Sequence, residues 1–290
     1  MKTYHIIANP VAGKKKALKN LATVQDLLKK RGVAFETHIS STEKDVTEIV
    51  RQITNEGETE LIVLGGDGTL HETLNGIVNL QTCRIGLIPS GTGNDFAEHV
   101  ALPLNAEKAL EVILDGSVKP TDYLEVGGVR CMNVAGLGMD VDVLERCKKG
   151  KFKGKIKYVC SLVQSLFAFK GYDIEIKING VKEERKVLIG AVCNGSQFGG
   201  GIKICPVANS EDGKLDVMTV DCIGGKWKLI KAFLVLMKGG IMEYPLAKHT
   251  LCEEVAFFPK KKCTAQLDGE LYKDLEFVVK VKNGLQFYRP

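Results

Sequence analysis

The chain has 290 residues, of which 44% are hydrophobic and 26% are charged, and its formal net charge is +5. This composition excludes a disordered or collagen-like chain, and so mild a positive charge does not indicate a dedicated nucleic-acid-binding protein. The length favours two domains, each able to bury a hydrophobic core. No apolar run approaches the roughly 18–20 residues that a membrane span needs. Nine cysteines without a CxxC pair, and no signal-peptide pattern, indicate a reduced, cytoplasmic protein.

Strands and helices alternate over the first 120 residues. The predicted strands are short apolar runs, and the predicted helices carry apolar residues at helical spacing. Repeated units of this kind predict a parallel sheet covered by helices on both faces, with ligands at the carboxyl ends of the strands. The strands are predicted at 4–8, 35–39, 61–64 and 85–88, and the helices at 14–31, 45–54 and 69–78.

The pattern changes after about residue 123. Two hairpin-turn signals follow, Val126-Gly127-Gly128-Val129 and Asn179-Gly180, and residues 172–178 alternate between apolar and polar. The second half is therefore predicted to be a mainly antiparallel β domain. Its further strands are predicted at 215–220, 254–258, 263–267 and 275–281, and its helices at 155–169 and 226–238.

The strongest local feature is residues 61–77, LIVLGGDGTLHETLNGI. Here an apolar strand runs into Gly65-Gly66-Asp67-Gly68-Thr69 and then into a helix. Glycines let a ligand approach the backbone closely, and the free amides at a helix N-terminus bind phosphate. Asp67 would place a carboxylate beside that phosphate, which is useful where a metal ion bridges the two. The alternative is a tight strand–helix turn in which Asp67 or Thr69 caps the helix.

Two more loops have the same arrangement. One strand ends at Pro89 and is followed by Ser90-Gly91-Thr92-Gly93-Asn94-Asp95, whose hydroxyls and amides can donate to phosphate and whose Asp95 adds a carboxylate. Adjacent parallel strands would bring Asp67 and Asp95 together. The alternative is an ordinary glycine-rich loop. The first strand is followed by Asn9-Pro10-Val11-Ala12-Gly13, a weak signal when taken alone because Asn-Pro marks turns generally. Three such loops in one sheet indicate a phosphate site.

Together these motifs resemble the diacylglycerol kinase catalytic domain of bacterial soluble lipid kinases. The resemblance rests on Gly65–Thr69 and Ser90–Phe96, and it covers nearly the whole chain because Asn9-Pro10 and Leu267-Asp268-Gly269-Glu270 also fall on family motifs. NAD kinases and 6-phosphofructokinases share the Gly-Gly-Asp-Gly-Thr element. The second motif and the late Asp-Gly-Glu together are specific to the lipid kinases. Neither a P-loop GxxxxGK[ST] nor a GxGxxG after the first strand is present.

The resemblance implies a two-domain fold. The N-terminal domain would be α/β with a parallel, Rossmann-like sheet of the NAD kinase and phosphofructokinase type, and the C-terminal domain a mainly antiparallel β-sandwich. ATP and substrate would bind in the cleft between them. On this chain the domains are expected at 1–123 and 124–281, with residues 282–290 a candidate return to the first.

The resemblance also implies roles for individual residues. Asp67, Asp95 and Asp122 match three aspartates with which the family organises a catalytic Mg²⁺ network. Glu270, supported by Asp268, matches the proposed general base. The nucleotide-binding positions of the family fall on Asn9, Thr42, Gly65, Gly66, Asp67, Gly68, Thr69, Glu72, Ser90, Gly91, Thr92 and Asn94.

A second, structural Mg²⁺ site of the family matches residues 209–214. Asp212 would supply a carboxylate there, and Asn209 and Lys214 would supply backbone carbonyls. Four histidines, in contrast, show no metal-ligand spacing in the sequence: His5, His38, His99 and His249.

The sequence thus predicts a cytoplasmic, ATP- and Mg²⁺-dependent lipid kinase that transiently visits the membrane surface and most simply converts diacylglycerol to phosphatidic acid. Two alternatives stay open: a kinase of a soluble acceptor such as NAD, and a non-catalytic lipid- or nucleotide-binding regulator. The basic segment 146–157 is predicted to contact an anionic bilayer, with a solvated loop as the alternative. No nucleic-acid partner is expected, and a homodimer is expected from base rates.

Overall fold

The computed structural model describes residues 2–41, 45–55, 57–149, 171–222, 225–261 and 263–290. The chain forms two compact units. Unit 1 comprises Met1–Tyr123 and Asn283–Pro290, and unit 2 comprises Leu124–Lys282. In the described part of the chain no helix is both long and apolar enough to cross a membrane.

Unit 1 is built on a parallel sheet with helices between its strands. The strands are β1 (Thr3–Ala8), β2 (Ala34–Ile39), β3 (Thr59–Gly65) and β4 (Cys83–Pro89), and the helices are α1 (Lys16–Lys30), α2 (Asp45–Ile53), α3 (Asp67–Gly76), α4 (Asp95–His99) and α5 (Ala106–Leu114). Short 3₁₀ turns lie at Ala12–Lys15 and Leu80–Thr82. The strand order is β4-β3-β1-β2, and Gln286 and Phe287 pair in parallel with the outer side of β4. The predicted parallel α/β domain is confirmed.

The core of unit 1 follows from the alternation of side chains along its strands. Ile6, Ile62 and Ile88 point to one face of the sheet and pack against Val24 of α1 and Ile113 of α5. Helix α2 packs on α3, where Thr47 Oγ1 donates to the backbone oxygen of Glu72 at 3.1 Å. Because side chains alternate along β1, its odd-numbered residues lie on the face of the sheet opposite to α1 and α5.

Unit 2 is antiparallel, as predicted. The remaining elements, of which β5 begins in unit 1 and β15 ends in it, are in chain order β5 (Val118–Val126), β6 (Val129–Cys131), β7 (Val134–Gly138), α6 (Met139–Lys149), β8 (Tyr172–Ile178), β9 (Val181–Cys193), β10 (Leu215–Asp221), α7 (Lys226–Met237), a 3₁₀ turn at Ile241–Glu243, β11 (Ala247–Cys252), β12 (Glu254–Pro259), β13 (Thr264–Leu267), β14 (Glu270–Lys273) and β15 (Val278–Tyr288). Both predicted hairpins are present, since Val126 pairs with Val129 and Ile178 with Val181.

The long strand β9 pairs with three other strands of unit 2. Its first half pairs with β8, and its second half lies between β7 and β10. One hydrophobic core includes Ile176 of β8, Val192 of β9 and Val217 of β10. A second core lies on the other side of β9 and β10, where Ala232 and Leu236 of α7 cover it. The apolar stripe of α7 thus faces the protein core at these two positions.

Candidate active site

The loops that follow β3 and β4 lie against each other. Gly65 pairs with Pro89 at the ends of these strands, and the amide of Ser90 donates to the oxygen of Gly65 at 2.7 Å. Beyond this bond the two backbones touch: a Cβ atom on Gly91 would lie 2.4 Å from Cα of Gly66, and one on Gly66 would lie 2.8 Å from Cα of Gly91. Only glycine fits at both positions, and the contact leaves a stretch of backbone without side chains.

The loop after β1 completes the arrangement. Asn9 donates its amide to the oxygen of Leu64 and accepts the amide of Val11 on its side-chain Oδ1 at 3.1 Å. Gly13 has a left-handed φ of 55°, and a Cβ atom there would lie 2.0 Å from the backbone oxygen of Ser90. All three glycine-containing loops therefore meet at the carboxyl ends of β1, β3 and β4, where open α/β sheets bind ligands.

Helix α3 begins directly after Gly66. The structure therefore differs from the capping alternative, because the N-cap position is a glycine and Asp67 and Thr69 lie in the first helical turn. Thr69 is buried against Gly65, where a Cβ atom would lie 2.3 Å from the Thr69 Cβ. The first-turn amides of α3 thus carry no cap from the side chain of the N-cap residue, which suits phosphate binding.

Ser90 differs from its expected role as a phosphate donor. Its side chain is fully buried, its hydroxyl donates to the oxygen of Ile88 at 3.0 Å, and it accepts from Asn20 Nδ2 at 2.8 Å. The hydroxyl therefore fixes the loop. Asn94 has a similar positioning function: it adopts a left-handed φ of 59° at the N-cap of α4, and its Oδ1 accepts the amide of Gly91 at 2.8 Å.

Two of the three predicted metal-binding aspartates are brought together. Asp67 Oδ1 accepts the backbone amide of Phe96 at 3.2 Å, so its carboxylate lies against the turn that carries Asp95. Asp95 is buried in the first turn of α4, and Asp122 is buried on β5. Carboxylate oxygens are ligands that Mg²⁺ accepts, so Asp67 and Asp95 fit a Mg²⁺ ion beside a phosphate.

In unit 2, Asp268 and Gly269 form the two-residue turn between β13 and β14. Both have positive φ, 52° and 88°, which is typical of an Asp-Gly hairpin turn. Glu270 follows directly as the first residue of β14, with its side chain exposed. The hairpin therefore presents the Glu270 carboxylate to solvent.

The Asp268 carboxylate is held by the segment that joins β6 to β7. Oδ2 accepts the amide of Met132 at 2.8 Å, and Oδ1 accepts the amides of Asn133 at 2.8 Å and Val134 at 3.3 Å. Cys131 Sγ donates to Oδ1 at 3.2 Å, and burial together with the Asp268 charge raises the pKa of this thiol well above its usual value. The sequence predicts Asp268 as a catalytic residue that supports Glu270; through these contacts it positions the turn that precedes Glu270.

The loop matched to the structural Mg²⁺ site is tightly turned. Asn209 Oδ1 accepts the amide of Glu211 at 3.1 Å, and Asp212 Oδ1 accepts the amide of Lys214 at 3.0 Å. The Asn209 and Asp212 side chains are exposed. Such an exposed, oxygen-bearing loop is chemically suited to a hard divalent cation.

Some predicted residues add less to the site. Glu72 lies on α3, with its backbone oxygen bonded to Thr47, and Thr92 is exposed in the loop after β4. Thr42 lies outside the described residues, as do positions 150–157 of the basic segment and the predicted helix at 155–169. At the described start of that segment, Arg146 Nε lies 2.7 Å from Asp142 Oδ2.

A glycine cradle at the ends of parallel strands, with carboxylates beside it, is typical of enzymes that transfer phosphoryl groups. Residues 3–126 match the family model described as the diacylglycerol kinase catalytic domain, and residues 133–285 match the YegS C-terminal NAD kinase beta sandwich-like domain. The chain therefore belongs to the diacylglycerol kinase family of lipid kinases, and the resemblance seen in its motifs is confirmed. It is a lipid kinase.

Several relatives extend over most of the chain. A diacylglycerol kinase of Bacillus subtilis is 27% identical over 93% of this chain and 90% of its own length. A diacylglycerol kinase of Mycobacterium tuberculosis is 26% identical over 98% of this chain and 94% of its own length. A probable lipid kinase YegS-like of Xanthomonas campestris is 29% identical over 89% of this chain and 87% of its own length. A crystal structure of a diacylglycerol kinase from Bacillus anthracis shares the fold, with a TM-score of 0.77 at 21% identity over 100% of this chain and 97% of that one.

Proposed function

We propose that the chain transfers the γ-phosphoryl group of ATP, with Mg²⁺, to the hydroxyl of diacylglycerol to give phosphatidic acid. The observation that carries the nucleotide assignment is the meeting of three glycine loops at the carboxyl ends of β1, β3 and β4. In the reaction the acceptor oxygen bonds to the γ-phosphorus, the bond from that phosphorus to the bridging oxygen breaks, and ADP leaves.

The nucleotide phosphates would lie on backbone amides. At the contact between Gly66 and Gly91 no Cβ atom would obstruct a phosphate. The N-terminus of α3 is the positive end of the helix dipole, and its first-turn amides favour a negatively charged group. Asp67 and Asp95, with Asp122, would hold Mg²⁺, which neutralises charge on the transferring group when bound. Asp212, with the backbone oxygens of Asn209 and Lys214, would hold a second ion that orders its loop.

Glu270 would act as general base towards the acceptor hydroxyl. Its carboxylate is exposed at the start of β14, and Asp268 fixes the preceding turn through backbone amides. Removal of the hydroxyl proton by a well-placed base as the new bond forms typically raises the reaction rate by about 10²–10⁴-fold.

The acceptor is proposed from the relatives. Those from Bacillus subtilis and Mycobacterium tuberculosis are named diacylglycerol kinases, and diacylglycerol is a bilayer lipid. The enzyme would therefore act from the cytoplasm at a membrane surface, with the basic residues of segment 146–157 attracted to anionic headgroups by about 1 kcal/mol each.

Transfer of label from ATP to a panel of lipids in mixed micelles, with and without Mg²⁺, tests the proposal. We expect label in diacylglycerol only when Mg²⁺ is present. Label should be strongly reduced in Glu270→Gln, and also in Asp67→Asn at the Mg²⁺ concentration that half-saturates the parent. Glu254→Gln is the matched control, because Glu254 is an exposed residue of unit 2 paired with Lys280. Label in a different lipid would show that this lipid, and not diacylglycerol, is the acceptor. Label in NAD would support a kinase of a soluble acceptor. Full activity of both variants would overturn the mechanism.

A further inference from the structure

His5, Glu36 and His38 form a side-chain cluster on β1 and β2. In the parallel register His5 pairs with Glu36, and His38 lies two residues further along β2 on the same face. His5 Nδ1 is 3.3 Å from His38 Nε2, and Glu36 Oε2 is 3.6 Å from His5 Nδ1 and 4.0 Å from His38 Nε2. The side chains are 24%, 63% and 28% exposed in chain order, so the cluster is open to solvent on one side.

These distances fit the ligands of one transition-metal ion. Zinc–nitrogen bonds of about 2.0–2.1 Å in a tetrahedron place two ligand atoms roughly 3.3–3.4 Å apart. The two imidazole nitrogens are at that separation. The Glu36 oxygen would need to come a few tenths of an ångström closer to His5 Nδ1 and about 0.6–0.7 Å closer to His38 Nε2, a shift that its exposed side chain permits. Solvent would fill the remaining position.

The donor set favours a borderline ion over Mg²⁺. Two imidazoles with one carboxylate suit Zn²⁺, Cu²⁺ or Ni²⁺, whereas Mg²⁺ takes oxygen ligands in octahedral geometry. A neutral imidazole ring offers the lone pair that a metal needs. The Glu36 carboxylate supplies negative charge.

Among the described residues one other trio of such side chains meets: Cys205, Asp216 and His249. There His249 Nε2 lies only 2.6 Å from Asp216 Oδ1, much closer than two ligands of a tetrahedral ion, and the Cys205 side chain is fully buried. These groups form a histidine–aspartate pair beneath a packed thiol. They do not have the spacing of the first cluster.

We propose that His5, Glu36 and His38 form a binding site for one divalent transition-metal ion, distinct from the positions assigned to Mg²⁺ in phosphoryl transfer. Strand β2 is at the edge of the sheet in unit 1, and an ion held by ligands from β1 and β2 links it to its neighbour. Such an ion stabilises the folded state by an amount that grows with the logarithm of its affinity for that state.

Zn²⁺ binding to the full chain in excess Mg²⁺ tests the site, measured by competition with a coloured chelator and by the melting temperature. We expect one saturable site that raises the melting temperature. His5→Gln and His38→Gln should each weaken binding at least about tenfold, since loss of even an outer-sphere partner does so. His99→Gln is the control, because His99 lies on α4 outside the cluster and should leave the affinity unchanged.

A measurement on the unsubstituted chain guards against misfolded variants. Zn²⁺ should protect His5 and His38 from diethyl pyrocarbonate, mapped by mass spectrometry, and leave His99 reactive. Co²⁺ bound there should show no thiolate charge-transfer band, which separates the cluster from the Cys205 group. Zinc affinity unchanged in both substitutions, absence of protection, or a thiolate band in place of imidazole ligation would overturn the assignment.

Discussion

Asp67 Oδ1 accepts the backbone amide of Phe96 at 3.2 Å, so a side chain from the first turn of α3 fixes the start of α4. The carboxylate thus has a structural contact in addition to its proposed place beside the phosphate. An asparagine at this position keeps an oxygen acceptor for Phe96 and removes only the negative charge. The two contributions of Asp67 can therefore be separated by substitution.

Asp67→Asn should fold normally and require more Mg²⁺. We expect the Mg²⁺ concentration for half-maximal activity to rise at least about tenfold, because a neutral amide is a weaker ligand for a hard cation. Activity measured against Mg²⁺ concentration checks this. Asp26→Asn is the control, since Asp26 is an exposed residue of α1 paired with Lys30 at 2.7 Å. An unchanged Mg²⁺ curve for Asp67→Asn would contradict the assignment.

Gly91→Ala should damage the nucleotide site. The new Cβ would lie 2.4 Å from Gly66 Cα and 2.9 Å from Asn94 Oδ1, so the loops must separate. A displacement of about 1 Å costs on the order of 100-fold in rate, and we expect a loss of this size in kcat/KM for ATP. Steady-state kinetics with varied ATP measure it.

Gly240→Ala is the matched comparison for Gly91→Ala. Gly240 has an ordinary φ of −95°, and the nearest atom to a Cβ there is 3.6 Å away. This variant should keep the ATP kinetics of the parent. Equal kinetics for the two variants would show that the contact between Gly66 and Gly91 is not needed.

Substitution of Asp268 should lower the stability of the protein, whereas substitution of Glu270 should lower the reaction rate. Asp268→Ala removes the acceptor for three backbone amides and the Cys131 thiol, and we expect the free energy of unfolding to fall by about 3 kcal/mol. Glu270→Gln, at an exposed position, should leave stability within about 0.5 kcal/mol of the parent and lower kcat. Urea unfolding and lipid kinase assays measure both.

For that pair Glu254→Gln again serves as control, because an exposed ion pair contributes at most about 1 kcal/mol. The positioning role of Asp268 is rejected if its alanine variant unfolds at the same urea concentration as Glu254→Gln.

Asp140 should make stability depend on pH. Burial raises the pKa of this carboxyl to about 6, well above the usual range of an aspartate. The folded state therefore keeps the proton up to about pH 6, whereas the unfolded chain releases it near pH 4. Since the unfolded state then binds fewer protons, the free energy of unfolding falls as pH rises across this window, by about 3 kcal/mol for two pKa units.

Asp140→Asn removes this titration. The difference in unfolding free energy between Asp140→Asn and the parent should shift by about 3 kcal/mol in favour of the variant from pH 4 to pH 7. Urea unfolding of both proteins at several pH values measures the difference, in which titrations common to both cancel. A difference that stays constant with pH would show that Asp140 is not perturbed.

Local sequence patterns predicted much of the fold. Apolar runs and helical spacing gave the four parallel strands and their first three helices, although α3 begins at Asp67 and not at the predicted residue 69. The two hairpins were evident from their glycines. Helix α4 was missed because its five residues are too few for periodicity, and β9 was missed because its first half, VKEERK, is charged and exposed.

The sequence alone determined where the backbones of neighbouring loops must come close to each other, since glycines directly after apolar strands indicate a local conformational requirement. Only the tertiary structure decided what the distant partners do. The partners of Asp268 are residues 131–134, which lie more than 130 positions earlier in the chain. His5 meets Glu36 and His38 through the register of β1 and β2. Register and sheet order depend on how whole segments pack, so the spacing of residues along the chain does not reveal such contacts.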